Sequence, residues 1–94
     1  MTGSTELQRF GEHLRRWRIL TGNTQQRVAE SAGISVATLH KLETGNGGTL
    51  QAALEVCTVL GIADTLIDSI DPADTDLGRA RAHLWNRQRA RRAT

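Results

Sequence analysis

The chain has few of the residues that stabilise small secreted or metal-bound domains. Cys57 is the only cysteine, which excludes an intramolecular disulfide and any site with several cysteine ligands. The three histidines, at positions 13, 40 and 83, have no cysteine or carboxylate partner at ligand spacing. We therefore expect no metal ion, no cofactor and a reducing, cytoplasmic setting.

Long hydrophobic runs are also missing. No apolar stretch approaches the ~20 residues that a membrane-spanning helix needs, and residues 1–7 lack the basic and apolar segments of a secretory signal. The sequence therefore predicts a soluble protein with no membrane partner.

Catalytic signatures are absent as well. The carboxylates do not cluster, and there is neither a phosphate-binding glycine loop nor a nucleophile motif. Cys57 lies on the inward face of a predicted helix, where a free cysteine usually behaves as a small buried hydrophobe. We expect no catalytic residue, and hence no enzyme.

Alanine, leucine and arginine are abundant, whereas alternating β-branched residues are scarce, and this composition favours an all-α fold. Hydroxyl residues suited to cap helices stand at Thr24, Ser35 and Thr49. Leu66, Ile67 and Ile70 are expected to face the core from the last of five helices. The five predicted helices cover approximately residues 6–21, 25–32, 35–43, 50–60 and 64–70.

Pro72 marks the expected end of the folded domain, because proline disfavours a helical residue before it. We predict a flexible segment over residues 1–5, a domain over 6–72 and a basic amphipathic tail over 73–94. Residues 1–72 carry six basic and eight acidic side chains, a balance of −2, whereas 73–94 carry six arginines and two aspartates, a balance of +4. A basic segment of this kind suits a polyanion or an acidic protein surface.

The segment from Thr24 to Gly45 reads TQQRVAESAGISVATLHKLETG and contains two short helices joined through Gly33. Small Ala29 stands where the two helices must approach closely, and four apolar residues fix the second helix: Val28, Ile34, Leu39 and Leu42. This segment resembles the helix-turn-helix of the lambda-repressor and Cro-like (XRE-type) family. The resemblance covers residues 7–70 and implies a five-helix, lambda-repressor-like DNA-binding domain with a basic carboxy-terminal extension.

In that family the second helix of the motif lies in the major groove of double-stranded DNA. Laid onto this sequence, the resemblance puts the groove-facing positions at Val36, Ala37, His40, Lys41 and Thr44, with Thr38 near the groove wall. Lys41 could donate to guanine, while Val36 and Ala37 could make only apolar contacts, for instance with a thymine methyl. No Gln, Asn or Arg stands at position 36, 37 or 40, so base preference could depend on DNA shape.

The resemblance also implies contacts outside the groove. Gln25 matches a glutamine that binds a phosphate, and Ser35 and Thr38 are placed to touch the DNA backbone. A structural ion pair between Arg18 and Glu43 would hold the recognition helix. The alternative interpretation of the two helices is a hairpin used only for protein contacts.

Three interpretations of the basic tail stay open: a disordered end, an arm on the DNA backbone, or a helix that docks on a partner. Its anchors would be Leu77, Leu84 and Trp85, with Arg87 beside them. A large aromatic residue is enriched at interface hot spots, and Trp85 therefore favours contact with a partner or a second copy.

The family resemblance implies a sequence-specific transcriptional repressor that binds a pseudo-palindromic operator as a homodimer. The short length, the Gly-Gly-Thr-Leu stretch and the arginine-rich tail are similar to antitoxins of the HipB type. That similarity implies a HipA-like kinase toxin as partner and autoregulation of a shared operon. The alternative is a stand-alone XRE-family regulator without a toxin.

Overall fold

The computed structural model describes residues 5–93, and over that part of the chain it contains α-helices, one 3-10 turn and no strand. The all-α prediction is confirmed for these residues. Of the segment predicted to be flexible, residues 1–4 lie outside the described residues, and Thr5 begins the first helix. The helices are α1 (Thr5–Leu20), α2 (Gln25–Ala32), α3 (Val36–Glu43), α4 (Leu50–Val59), α5 (Ala63–Asp68), α6 (Asp76–Ala80) and α7 (Ala82–Ala93).

The chain forms two compact units, which divide between Asp64 and Thr65. None of the helices within residues 5–93 is both long enough and apolar enough to cross a membrane.

Hydroxyl caps begin three helices of the first unit. The side chain of Thr24 accepts from the backbone N–H of Arg27, Ser35 does the same for Thr38, and Thr49 for Ala52. The three predicted caps are therefore confirmed. Each such cap stabilises a helix by ~1 kcal/mol, because it satisfies a backbone donor that has no partner within the helix.

The turn between α2 and α3 depends on Gly33. This glycine has a φ of 72°, in the left-handed region that residues with a Cβ rarely adopt. The following N–H, of Ile34, donates to the carbonyl oxygen of Ala29 at 3.0 Å and closes the end of α2. The chain then turns at once into α3.

The core of the first unit lies between α1, α2, α3 and α4. Leu14 of α1, Leu39 of α3 and Cys57 of α4 are completely or almost completely buried. The other buried apolar residues are Val28, Ala29, Ala32, Leu42, Ala52, Ala53, Val56 and Leu60. Because α3 packs against α1, α2 and α4, only one of its faces is left to solvent.

Gly11 lets the backbones of α1 and α3 touch. A Cβ at this position would collide with the carbonyl oxygen of Leu42 and lie 2.8 Å from the carbonyl oxygen of Glu43. Any residue larger than glycine at position 11 would therefore push α3 away from α1.

The prediction that Ile67 and Ile70 face the core was wrong; both lie at the start of the second unit. Ile67 and Ile70, predicted to face a core, are 53% and 80% exposed, while Leu66 is half-buried. The reason is that α5 ends at Asp68, so Ile70 is no longer at helical spacing, and Ile67 lies about 100° around the helix from Leu66.

A turn stabilised by side-chain hydrogen bonds follows in the second unit. Asp71 caps the 3-10 turn over Pro72–Asp74, and Thr75 caps α6 by accepting from the N–H of Gly78 at 2.9 Å. Arg79 donates to the carbonyl oxygen of Ala73 at 3.2 Å. The tail is thus helical through α7 in the described residues, and residues 87–92 continue that helix.

Candidate nucleic-acid interface

The recognition helix predicted from the sequence corresponds to α3, and its two sides differ sharply. Leu39, Leu42 and Glu43 are buried against the rest of the unit. The opposite side exposes Val36, Ala37, His40, Lys41 and Thr44, and Thr38 is half-buried at its margin. All the residues predicted to face a groove therefore lie on or beside one accessible surface, which we term the α3 face.

Several hydroxyl groups at the α3 face are engaged within the helix. Ser35 Oγ accepts from the backbone N–H of Thr38 at 3.0 Å and lies 2.8 Å from Thr38 Oγ1. At the other end, Thr44 Oγ1 donates to the carbonyl oxygen of His40 at 2.8 Å and accepts from the Asn46 side chain. These bonds stabilise both ends of α3 and orient the hydroxyl groups locally.

A buried carboxylate at the end of α3 joins three segments of the chain. Arg18 Nε of α1 donates to Glu43 Oε2 at 2.6 Å, and Arg18 Nη2 donates to Glu43 Oε1 at 3.1 Å. The side chain of Glu43 is 2% exposed and that of Arg18 is 13% exposed. A charge buried to this extent requires a hydrogen-bonded partner, and the guanidinium supplies two parallel donors.

Gln25 completes this cluster. Its side-chain amide donates to Glu43 Oε1 at 3.0 Å, while Arg18 Nη1 donates to the carbonyl oxygen of Asn23 at 3.1 Å. The amino end of α2 is thereby attached to the carboxyl end of α3. The family resemblance implied a phosphate contact for Gln25 and the ion pair between Arg18 and Glu43, which the structure contains. Nothing in the sequence connected Gln25 with Glu43.

The half-buried Gln25 keeps one donor for a ligand. A side-chain amide carries two N–H donors, and the bond to Glu43 uses one of them. The second is compatible with a phosphate oxygen, which accepts hydrogen bonds only. Glu43 thus orients the side chain for which a phosphate contact was predicted.

The loop after α3 contains Gly47 and Gly48, with φ values of 99° and 143°. A Cβ on Gly48 would lie 2.7 Å from a methyl carbon of Leu42, so the loop backbone lies directly against the buried side of α3. The loop therefore supports the carboxyl half of the helix without covering the α3 face.

The residues predicted to anchor a partner belong to the second unit. Leu77 and Trp85 are exposed and Leu84 is half-buried, and these three side chains line one groove of about 530 Å³. We term it the tail groove; its lining also includes Pro72 and Arg79. Arg87 is exposed outside the lining.

Cys57 of α4 lies in the core of the first unit. Cys57 is fully buried, and burial raises the pKa of its thiol above the usual value, because a buried thiolate loses hydration. Among residues 5–93, no group of three histidine, cysteine or carboxylate side chains is arranged to hold a metal ion.

Comparison with known proteins identifies the family of the chain. A family model described as a helix-turn-helix domain matches residues 9–70, which extend from α1 to just beyond α5. The chain therefore belongs to this helix-turn-helix domain family. No curated protein and no solved structure matches the chain.

Proposed function

From its membership of the helix-turn-helix domain family, we propose that this chain is a sequence-specific DNA-binding transcriptional repressor that places α3 in the major groove. The observation that carries the proposal is the two-sided character of α3. Its inner side is buried and held by Arg18 and Gln25 through Glu43, while the α3 face is accessible along its whole length. A helix fixed in this way can enter a groove about 12 Å wide without rearrangement.

The proposed contacts fall into two groups. Val36, Ala37, His40, Lys41 and Thr44 face the bases. Gln25, Ser35 and Thr38 lie at the amino ends of α2 and α3, where free backbone N–H groups favour phosphate oxygens.

We further propose that the protein acts as a homodimer on a pseudo-palindromic operator, in a five-helix, lambda-repressor-like arrangement of residues 6–72. One α3 face has few side chains that can discriminate bases, and a good base contact supplies only ~1–3 kcal/mol. The binding free energy of a specific complex exceeds that of a non-specific one by ~4–10 kcal/mol. Two copies of α3 on two half-sites would supply this difference. Their centres would lie ~34 Å apart along the duplex.

Selection from a random duplex library with the full-length chain tests this function. We expect a recurring motif with two inverted half-sites, bound about 1,000-fold or more tighter than a scrambled duplex at the same salt concentration. Equal affinity for the selected and the scrambled duplex would contradict the proposal.

A second proposal concerns the tail groove. We propose that the chain is a HipB-type antitoxin, that a HipA-like kinase toxin docks on the tail groove, and that the complex represses a shared operon. Leu77, Leu84 and Trp85 supply an apolar anchor, and exposed Arg87 supplies charge beside it. A stand-alone regulator without a toxin is the alternative, and it would leave the tail groove to a second copy of the chain or to no protein.

Co-purification with the product of an adjacent gene distinguishes an antitoxin from a stand-alone regulator. Trp85→Ala should abolish co-purification, whereas Trp17→Ala is the matched control, because Trp17 of α1 is exposed to a similar extent, 45% against 57%. Loss of the partner with both variants, or with neither, would contradict docking at the tail groove. A chain that co-purifies with no neighbouring product would support the stand-alone regulator.

A further inference from the structure

The first turn of α3 presents hydrocarbon rather than hydrogen-bonding groups. Val36 is 43% exposed and Ala37 is exposed beside it. The flanking hydroxyls of Ser35 and Thr38 bond to each other, and Ser35 Oγ also accepts from the backbone N–H of Thr38. This turn is the part of a recognition helix that contacts base edges, so the side chains closest to the bases carry methyl groups.

An exposed valine in a short helix is unfavourable on two counts. Its branched Cβ restricts the side chain in a helix and gives it a lower helix propensity than alanine. Its exposed methyl groups also remain in water. Both effects are offset if Val36 packs against an apolar group when the protein binds its ligand.

The major groove offers one apolar group on its base edges, the methyl at C5 of thymine. A 5-methylcytosine carries a methyl group on the same ring carbon. Cytosine and uracil carry hydrogen there and present no such group. The chemistry that matches Val36 and Ala37 is therefore a C5-methylated pyrimidine.

The polar residues of the α3 face lie one turn further along. His40 and Lys41 follow Val36 and Ala37 by four residues, a displacement of ~6 Å along the helix. Lys41 carries a compact charge on a flexible stem, without the planar fork of arginine, and so imposes little geometry on a base. Thr44 already donates to the His40 carbonyl oxygen. Lys41 therefore adds at most a weak preference for guanine to a general attraction to DNA.

We propose that α3 discriminates DNA sequences mainly through the C5 methyl groups of pyrimidines, read by Val36 and Ala37. This inference rests on the proposed DNA binding and adds its chemical basis. It makes binding sensitive to cytosine methylation at the contacted positions.

The test uses variants of the selected duplex in which one methyl group is removed at a time. Each thymine is exchanged in turn for deoxyuridine, which keeps every donor and acceptor and removes only the methyl. Loss of one buried methyl weakens binding about fourfold, from ~0.8 kcal/mol per group and 1.36 kcal/mol per tenfold. At the same positions, 5-methylcytosine should bind about fourfold tighter than cytosine.

Variants assign the effect to α3. Val36→Ala should reduce the thymine-to-uracil difference at one position in each half-site without loss of helix content, because alanine is smaller and is the stronger helix former. Ile19→Ala, at an apolar residue of α1 that is 50% exposed, is the control and should leave the difference intact.

The outcomes separate this inference from the proposed function. Preference for the selected duplex together with equal affinities for thymine and uracil at every position would overturn methyl reading alone. A methyl effect that is unchanged by Val36→Ala at all positions would overturn the assignment of methyl reading to Val36. Absence of any preference for the selected duplex would overturn both proposals.

Discussion

Arg18 and Glu43 stand 25 residues apart in the chain, yet Arg18 Nε lies 2.6 Å from Glu43 Oε2, with a second bond from Nη2 to Oε1 at 3.1 Å. Because Arg18 is on α1 and Glu43 ends α3, this pair fixes the carboxyl end of α3. Gln25 donates to the same carboxylate and so attaches the start of α2 to the end of α3. The α3 face thus depends on interactions on the opposite side of the helix.

Removal of the arginine should destabilise the first unit strongly. Arg18→Ala leaves the Glu43 carboxylate buried without its cation, and we expect the free energy of unfolding to fall by ~3–5 kcal/mol. Arg16→Ala is the matched control, since Arg16 pairs with Glu12 at 3.6 Å on the surface and should cost below ~0.5 kcal/mol. Urea unfolding of both variants measures the difference, and equal midpoints would contradict a structural role for the buried pair.

A double variant identifies the physical cause. Glu43→Gln in the Arg18→Ala background removes the unpaired charge, so it should recover part of the lost stability. If the double variant is less stable than Arg18→Ala alone, lost packing rather than an unpaired charge explains the effect.

Gly11 and Gly33 should respond differently to alanine. At Gly33 nothing lies within 4 Å of an added Cβ, so the cost comes from the φ of 72° and is ~1–2 kcal/mol. At Gly11 the Cβ meets the carbonyl oxygens of Leu42 and Glu43, and the α1 and α3 backbones must separate, at ~1–3 kcal/mol or more. Under conditions where both variants remain folded, only Gly11→Ala should weaken DNA binding. Parallel unfolding and affinity measurements check this, and equal affinities would show that α3 does not move.

Local features of the first unit were predictable from sequence spacing, and the family resemblance supplied the Arg18–Glu43 pair between α1 and α3, which is present. The bond from Gln25 to Glu43 and the approach of Gly11 to α3 were not predictable. Thr24, Ser35 and Thr49 cap helices through neighbours three residues away, so sequence spacing contains the information. The approach of Gly11 to Leu42 depends on the packing of two helices, and no local pattern encodes it.

The second unit shows the same limit. The sequence anticipated an apolar face at Ile67 and Ile70, but the helix ends before that face can form. The break between α6 and α7 at Arg81 likewise has no proline or glycine to indicate it.

The thiol of Cys57 should be unreactive in the folded chain. Burial raises its pKa, so the thiolate that attacks Ellman's reagent is scarce as well as inaccessible. With a single cysteine, the rate reports one site, and it should rise sharply in denaturing urea. Equal rates in native and denaturing conditions would contradict the burial.

The raised pKa of the Cys57 thiol also makes the free energy of unfolding depend on pH. A thiol whose pKa is higher in the folded state contributes fully below the unfolded pKa, about 9.0, and its contribution is lost as the pH rises from there through the folded value. The free energy of unfolding should therefore decline more steeply above about pH 9 in the unsubstituted chain than in Cys57→Ala.

Lys41 and Gln25 should affect DNA binding in different ways. Lys41→Ala should weaken binding to both duplexes, and to the selected one by ~1 kcal/mol more, the low end for a base contact, because lysine lacks the planar fork of arginine. Gln25→Ala should weaken both, because phosphates carry no sequence information. Arg16→Ala removes one positive charge from α1 and controls for net charge. If Lys41→Ala and Arg16→Ala behave alike on both duplexes, Lys41 contributes only charge.

An amide NMR titration of the full-length chain with the selected duplex tests most directly whether α3 contacts DNA. The largest shift changes are expected at residues 35–41, with smaller ones at Gln25 and its neighbours, and little change at the exposed positions Glu55 and Thr58 of α4. Saturable changes confined to α7, with the amides of α3 unmoved, would contradict the assignment of α3 as the DNA-reading helix.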